Sequence, residues 1–293
     1  MNRVRAVAWL LAAPVLLASN QPPQQPNQIP SGPVFSSRIS VVQVDALVTD
    51  NNRPVSGLQA SDFEVQDNGV RQEVQLLAGG SVPLNVVLAL DASGSVDGTR
   101  LVQLRAAANA LLDGLRAEDR AGLVTFNRNV VNGSALTADL GVIRTALETS
   151  LASGETSLRN GVFAGLALGQ TGAGRALLIV LSDGIDTASW LPAKDVLDIA
   201  RRTDVVVYGI STARARRMPF LDEVAAVTGG KLYQGEWSER LSETFLAVLD
   251  EFRHRYVLTF SPRGVERGGW HRLTIKVKGR NLKVNARAGY MSR

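Results

Sequence analysis

The chain has no cysteine, which excludes a disulfide framework, a zinc–thiolate centre and a lipid-bearing cysteine. Its stability therefore has to come from burial alone, and 293 residues are enough to build a sizeable core. Histidine is almost as scarce, with His254 and His271 the only two. Both lie late in the chain, so serines in its central part have no nearby base to activate them as nucleophiles. Charge of one sign is also in short supply. The formal net charge is +5, and removal of Arg3 and Arg5 with an N-terminal segment takes it to +3. That modest excess, without a clustered basic stripe, argues against nucleic acid as a partner. Long apolar runs are lacking too: Ala6–Ala18 is an uncharged run of thirteen residues, short for a bilayer span but typical of a signal-peptide core.

Residues 1–18 thus read as a signal peptide, with Arg3 and Arg5 before the apolar core and Ala18-Ser19 offering small residues for cleavage. The expectation is an exported protein, periplasmic or extracellular, with no transmembrane span after cleavage. An uncleaved segment would instead be a membrane anchor. Residues 19–35 form a Pro/Gln-rich linker; Gln21–Pro33 has no apolar pattern and reads as an extended tether. From residue 36 to 82 the hydrophobic period is two. Val44–Val48, Phe63–Val65 and Val74–Leu76 predict short strands, and Asp50-Asn51-Asn52 and Asp67-Asn68-Gly69 predict tight turns.

Val86–Leu90 is an apolar run ending in Asp91-Ala92-Ser93-Gly94-Ser95, followed by a helical pattern over Val96–Leu115. Such a run predicts a parallel strand buried on both faces. Strands at Ala121–Asn127, Val130–Leu136, Ala176–Ser182, Val205–Ile210 and Lys231–Gln234 alternate with helices, the last of them Ser238–Phe252. The pattern over 83–252 is that of an α/β domain, doubly wound on a mostly parallel sheet. Over 253–293 the period returns to two, predicting strands at Tyr256–Ser261, His271–Lys278 and Leu282–Ala286. In this last block Trp270 is expected in the core and His271 facing outward. Neither flank holds a core by itself, so the economical arrangement is one smaller β-sandwich built from both flanks, with the α/β domain inserted between them.

Three separated stretches supply oxygen donors after a strand or before a helix: Asp91-x-Ser93-x-Ser95, Gly154-Glu155-Thr156-Ser157 and Ser182-Asp183-Gly184-Ile185-Asp186. In a doubly wound sheet the strands ending at Asp91 and Asp183 are neighbours at the point where the winding reverses, which is where ligands bind. Hard oxygens there suit Mg²⁺, Mn²⁺ or Ca²⁺ over a soft metal. The alternative reading of each residue alone is a helix cap or a loop acid.

Together these residues resemble the metal-ion-dependent adhesion site of von Willebrand factor type A domains, over roughly Pro83–Phe252, with Asp91, Ser93, Ser95, Thr156 and Asp183 filling the five metal positions. The flanks, from Val48-Thr49-Asp50 to Asp62-Phe63 and at Arg287-Ala288-Gly289-Tyr290, resemble exported bacterial proteins of that kind. The resemblance implies a bound Mg²⁺ that captures an Asp or Glu side chain of a protein ligand, and no catalysis. Glu155 departs from it, since the family more often has glycine there. Glu155, Asp186, Arg214, Arg216 and Arg217 are candidates for a partner-binding rim. Two other readings stay open: a structural envelope protein that oligomerises through its β-sandwich, and a metal-assisted hydrolase using Glu155 as base. The oligomeric state is not readable from the sequence.

Overall fold

A computed structural model of the chain describes residues 41–77, 82–212, 218–238 and 240–292. The signal-peptide and linker expectations for residues 1–35, and the arginine loop Arg214, Arg216 and Arg217, lie outside the described residues. Among the described residues no helix is long and apolar enough to cross a membrane.

The leading flank contributes strands β1 (Val42–Asp50), β2 (Arg53–Pro54), β3 (Phe63–Asp67), β4 (Val70–Gln72) and β5 (Gln75–Leu77). The central part runs β6 (Leu84–Asp91), α1 (Thr99–Asp113), β7 (Arg120–Phe126), β8 (Val130–Thr137), α2 (Leu140–Thr149), α3 (Leu158–Gly169) and β9 (Arg175–Ser182). It continues with α4 (Ala193–Arg201), β10 (Val206–Ser211), α5 (Pro219–Val227), β11 (Leu232–Gln234) and α6 (Arg240–Arg253). The closing flank adds β12 (Tyr256–Phe260), β13 (Gly269–Val277), β14 (Lys283–Asn285) and β15 (Gly289–Ser292).

The central sheet has the order β11-β10-β9-β6-β7-β8, parallel except for β8. β6 is buried at every position because its alternate residues feed two different cores. Val86, Leu88 and Leu90 meet α1 and α6 on one face, while Val87 and Ala89 meet the α3 side. Gly161 lets α3 sit close on the sheet, since a Cβ there would come within 2.3 Å of the Phe126 ring. The winding reverses between β6 and β9, the two central strands, so Asp91 at the end of β6 and Asp183 just after β9 come together at the carboxyl end of the sheet, as the apolar pattern predicted.

The two flanks do share one core. β1 pairs with β12, and β3 pairs with β13. The resulting sheets enclose a single cluster that includes Val44, Val48, Phe63, Val65, Leu258, Phe260 and Leu273. Both predicted turns form: Asn51 and Asn52 (φ 48° and 63°) join β1 to β2, and Asn68-Gly69 (φ 47° and 85°) joins β3 to β4. A buried ion pair ties this unit to the central sheet. Arg175, at the start of β9, reaches Asp45 of β1 at 2.6 Å and donates to the Phe252 carbonyl at 2.8 Å.

Three sequence expectations are corrected. The helix expected from Val96 begins at Thr99, because Gly98 takes a left-handed φ of 68° and only a short 3₁₀ turn, Gly94–Val96, precedes it. Trp270 is 40% exposed and His271 is buried, the reverse of the expected phase. Leu273 and Val277 set the inward register of β13, and His271 is in step with them. It is accommodated by Asp67, at 2.8 Å, and by the Tyr290 hydroxyl. Tyr290 belongs to β15, a fourth closing strand the pattern did not reveal.

Candidate functional site

β6 ends at Asp91, which has no exposed surface. Its Oδ1 accepts the Ser93 backbone N–H at 2.9 Å and its Oδ2 accepts the Ser182 hydroxyl at 2.5 Å. Burial raises the Asp91 carboxyl above the usual aspartate range; the nearby Asp183 charge adds to this, while the bonds from Ser182 and Ser93 oppose it. Ser182 lies in one of the oxygen-donor stretches, and the structure gives it a role that the sequence did not: bonding Asp91. Its place immediately before Asp183 on the neighbouring strand was the available signal.

The following loop brings Ser93 Oγ within 3.0 Å of Ser95 Oγ, and Ser95 Oγ donates to Asp183 Oδ1 at 2.7 Å. Ser93 makes no side-chain cap bond, so the capping alternative does not account for it. Thr156 arrives from the loop before α3. That loop is laced to the Asp91 loop by Gly94 N–H to the Gly154 carbonyl and Ser153 N–H to the Ala92 carbonyl, both 2.9 Å. The Thr156 carbonyl accepts N–H groups of Thr187 and Ala188 at 2.9 and 3.0 Å. Its hydroxyl is 3.6 Å from where a Cβ on Gly184 would lie, beside Asp183. The structure therefore brings Asp91, Ser93, Ser95, Thr156 and Asp183 together.

Oxygens bound cis on an octahedral Mg²⁺ lie about 2.9 Å apart, given bonds of 2.0–2.1 Å. The Ser93–Ser95 and Ser95–Asp183 separations of 3.0 and 2.7 Å match that spacing. The described residues contain no cluster of three or more His, Cys, Asp or Glu side chains suited to a metal. A cation here would be held largely by neutral hydroxyls, with Asp91 and Asp183 as the anionic partners, and this donor set fits a hard divalent ion.

The other candidates fall differently. Asp186 is consumed by its own loop: it accepts from Arg159 N, Nε and Nη2 at 2.8, 3.1 and 3.2 Å, and from Ser189 N and Oγ. Burial alone would raise its carboxyl, but these bonds prevail and hold it below the ordinary range. It fastens the loop and has little left for a partner. Glu155 is half-exposed and pairs with Arg128 at 3.6 Å. Arg100 was also missed from the sequence, being an unremarkable charge at the start of α1. It donates to Asp183 Oδ2 at 3.1 Å and to the Ser95 carbonyl at 2.8 Å. Both histidines are elsewhere: His254 follows α6 and His271 is buried between the flanking strands.

This sheet order, with acidic and hydroxyl side chains gathered at its switch point, is that of a doubly wound α/β domain. Residues 86–185 match the family model described as von Willebrand factor type A domain, and the chain carries such a domain in its central part. A stretch of 94 residues is 35% identical to an uncharacterized protein of Synechocystis, covering 29% of this chain and 21% of that relative. Another, of 49 residues, is 43% identical to the pig inter-alpha-trypsin inhibitor heavy chain H2, covering 17% of this chain and 5% of that protein. The chain thus matches about a fifth of one curated relative's length and a twentieth of the other's. Among solved structures, a von Willebrand factor type A protein from Catenulispora acidiphila is similar with a TM-score of 0.55 at 14% identity, over 84% of this chain and 75% of that one. Proximal thread matrix protein 1 from the mussel byssus gives 0.53 at 14% identity, over 63% and 49%. These structural likenesses concern the fold.

Proposed function

We propose that the protein is an exported binding module that holds Mg²⁺ (or Mn²⁺ or Ca²⁺) and uses it to capture an acidic side chain of a protein partner. The observation that carries this reading is the gathering of Asp91, Ser93, Ser95 and Asp183 where β6 and β9 end, with the Thr156 loop beside them and the Ser93, Ser95 and Asp183 oxygens 3.0 and 2.7 Å apart in turn. Hydroxyl ligands bring no charge of their own, so an anionic oxygen from outside can still complete the coordination of a dication held there. Domains of this class are in general interaction modules, and no histidine hydrogen-bonds Ser93 or Ser95 among the described residues. Export is supported by the pattern of residues 1–18, Arg3 and Arg5 before an uncharged apolar run.

The test is capture from the native envelope on the immobilised chain, with Mg²⁺ or with EDTA. A partner is expected to be retained only with Mg²⁺, to be lost with Thr156→Ala, and to stop binding when its own Asp or Glu at the contact is made Ala. Equal retention in EDTA would overturn the reading. Oligomers that persist in EDTA and bind no other protein would favour the structural role instead.

A further inference from the structure

Three acidic side chains around this face each have an arginine of their own. Asp183 pairs with Arg100 at 3.1 Å, Glu155 with Arg128 at 3.6 Å and Asp186 with Arg159 at 3.1 Å. Asp91 is different: its oxygens take the Ser93 N–H and the Ser182 hydroxyl. Of the two carboxylates at the candidate centre, only Asp91 has no cation beside it among the described residues. Arg100 is also held in place from several sides. It donates to the Ser95 carbonyl at 2.8 Å, and its guanidinium lies 5.8 Å from the centroid of Trp237, a ring packed against the main core.

Charge counting gives this arrangement a consequence. A dication facing Asp91 and Asp183 alone would be neutralised by two carboxylates and would pull only weakly on a further anion. With Arg100 counted, the loaded centre keeps one net positive charge. We propose that Arg100 sets this balance: its pairing with Asp183 lowers the affinity for the divalent ion and raises the affinity of the loaded site for a carboxylate. The inference rests on the metal-dependent reading above. It makes Arg100 a residue that determines ligand preference, acting through Asp183 without coordinating the ion itself.

The Arg100 side chain is 48% exposed, so solvent screens it and the effect is modest. Removing the charge as Arg100→Gln is expected to tighten Mg²⁺ binding about two- to fivefold, the range of a partly exposed ion pair. Calorimetry on the full chain reads this directly. Acetate is the second probe: added to the Mn²⁺-loaded protein and followed by water-proton relaxation, it should bind the Gln variant more weakly than the wild type. Arg100→Lys keeps the charge and should behave like the wild type in both assays. Unchanged or weaker Mg²⁺ binding in the Gln variant, with normal uptake by the wild type, would overturn the role of Arg100 alone. A wild type that takes up no divalent ion would overturn the metal-dependent reading and this inference with it.

Discussion

Replacing Asp91 by asparagine separates the fold from the chemistry of the site. The side chain is wholly buried, with Oδ1 on the Ser93 N–H and Oδ2 on the Ser182 hydroxyl. An asparagine of the same shape can keep its oxygen on Ser93 and turn its amide toward Ser182, whose hydroxyl rotates to accept. The fold should therefore survive. The electrostatic loss is larger: at an effective dielectric of about 20, a carboxylate and a dication about 4 Å apart attract by roughly 8 kcal/mol. The carboxylate is already desolvated by the fold, so much of that attraction is realised on binding. Even half of it, about 4 kcal/mol, is nearly a thousandfold in Kd. Wild-type protein with Mg²⁺ at about 100 times its Kd gains about 2.7 kcal/mol of stability. For a chain of this size that corresponds to a rise in Tm of roughly 4–5 °C. Differential scanning calorimetry with and without Mg²⁺ should show that rise in the wild type and none in Asp91→Asn. An Asn variant that Mg²⁺ stabilises as strongly as the wild type would refute the reasoning, because the buried charge would then play no part.

Two further outcomes follow from the same structure. Burial raises the Asp91 carboxyl, so protons should displace Mg²⁺ at a higher pH than an ordinary aspartate allows, and affinity should fall as pH falls through that raised range. Without divalent ions the sign reverses: a raised carboxyl adds stability below its unfolded value that is lost as pH rises through the folded one. Calorimetric Mg²⁺ titrations and melts over a pH series check both trends, and a flat profile for either contradicts the burial argument. Arg175→Met should cost about 3–5 kcal/mol in urea unfolding, since it leaves Asp45 buried without its partner at 2.6 Å. Asp45→Leu combined with Arg175→Met should recover most of this; a single-variant loss under about 1 kcal/mol, the exposed-pair range, would mean the pair does not join the flanks to the central sheet.

Much of this protein could be read from residue order because local physics decides it. Val86–Leu90 and Ala176–Leu181 are apolar at every position, so each had to be buried on both faces, and right-handed crossovers then place their ends side by side. Asp91 and Asp183 followed from that placement, the resemblance joined Ser93, Ser95 and Thr156 to them, and Asn51-Asn52 and Asn68-Gly69 marked their turns through their tolerance of positive φ. What the tertiary structure decided are the interactions with no sequence period. The partners of Asp91 and Asp183, Ser182 and Arg100, come from a neighbouring strand and a helix start, and neither pairing leaves a mark in residue order. Asp186 was legible as an acid near the site, but only three-dimensional proximity to Arg159 and Ser189 made it a fastening for the loop. His271 faces inward because pairing with β3 and β15 surrounds it with Asp67 and Tyr290, a polar environment that hydropathy cannot foresee. Burying a polar group requires specific partners, and those partners lie 204 and 19 residues away in sequence.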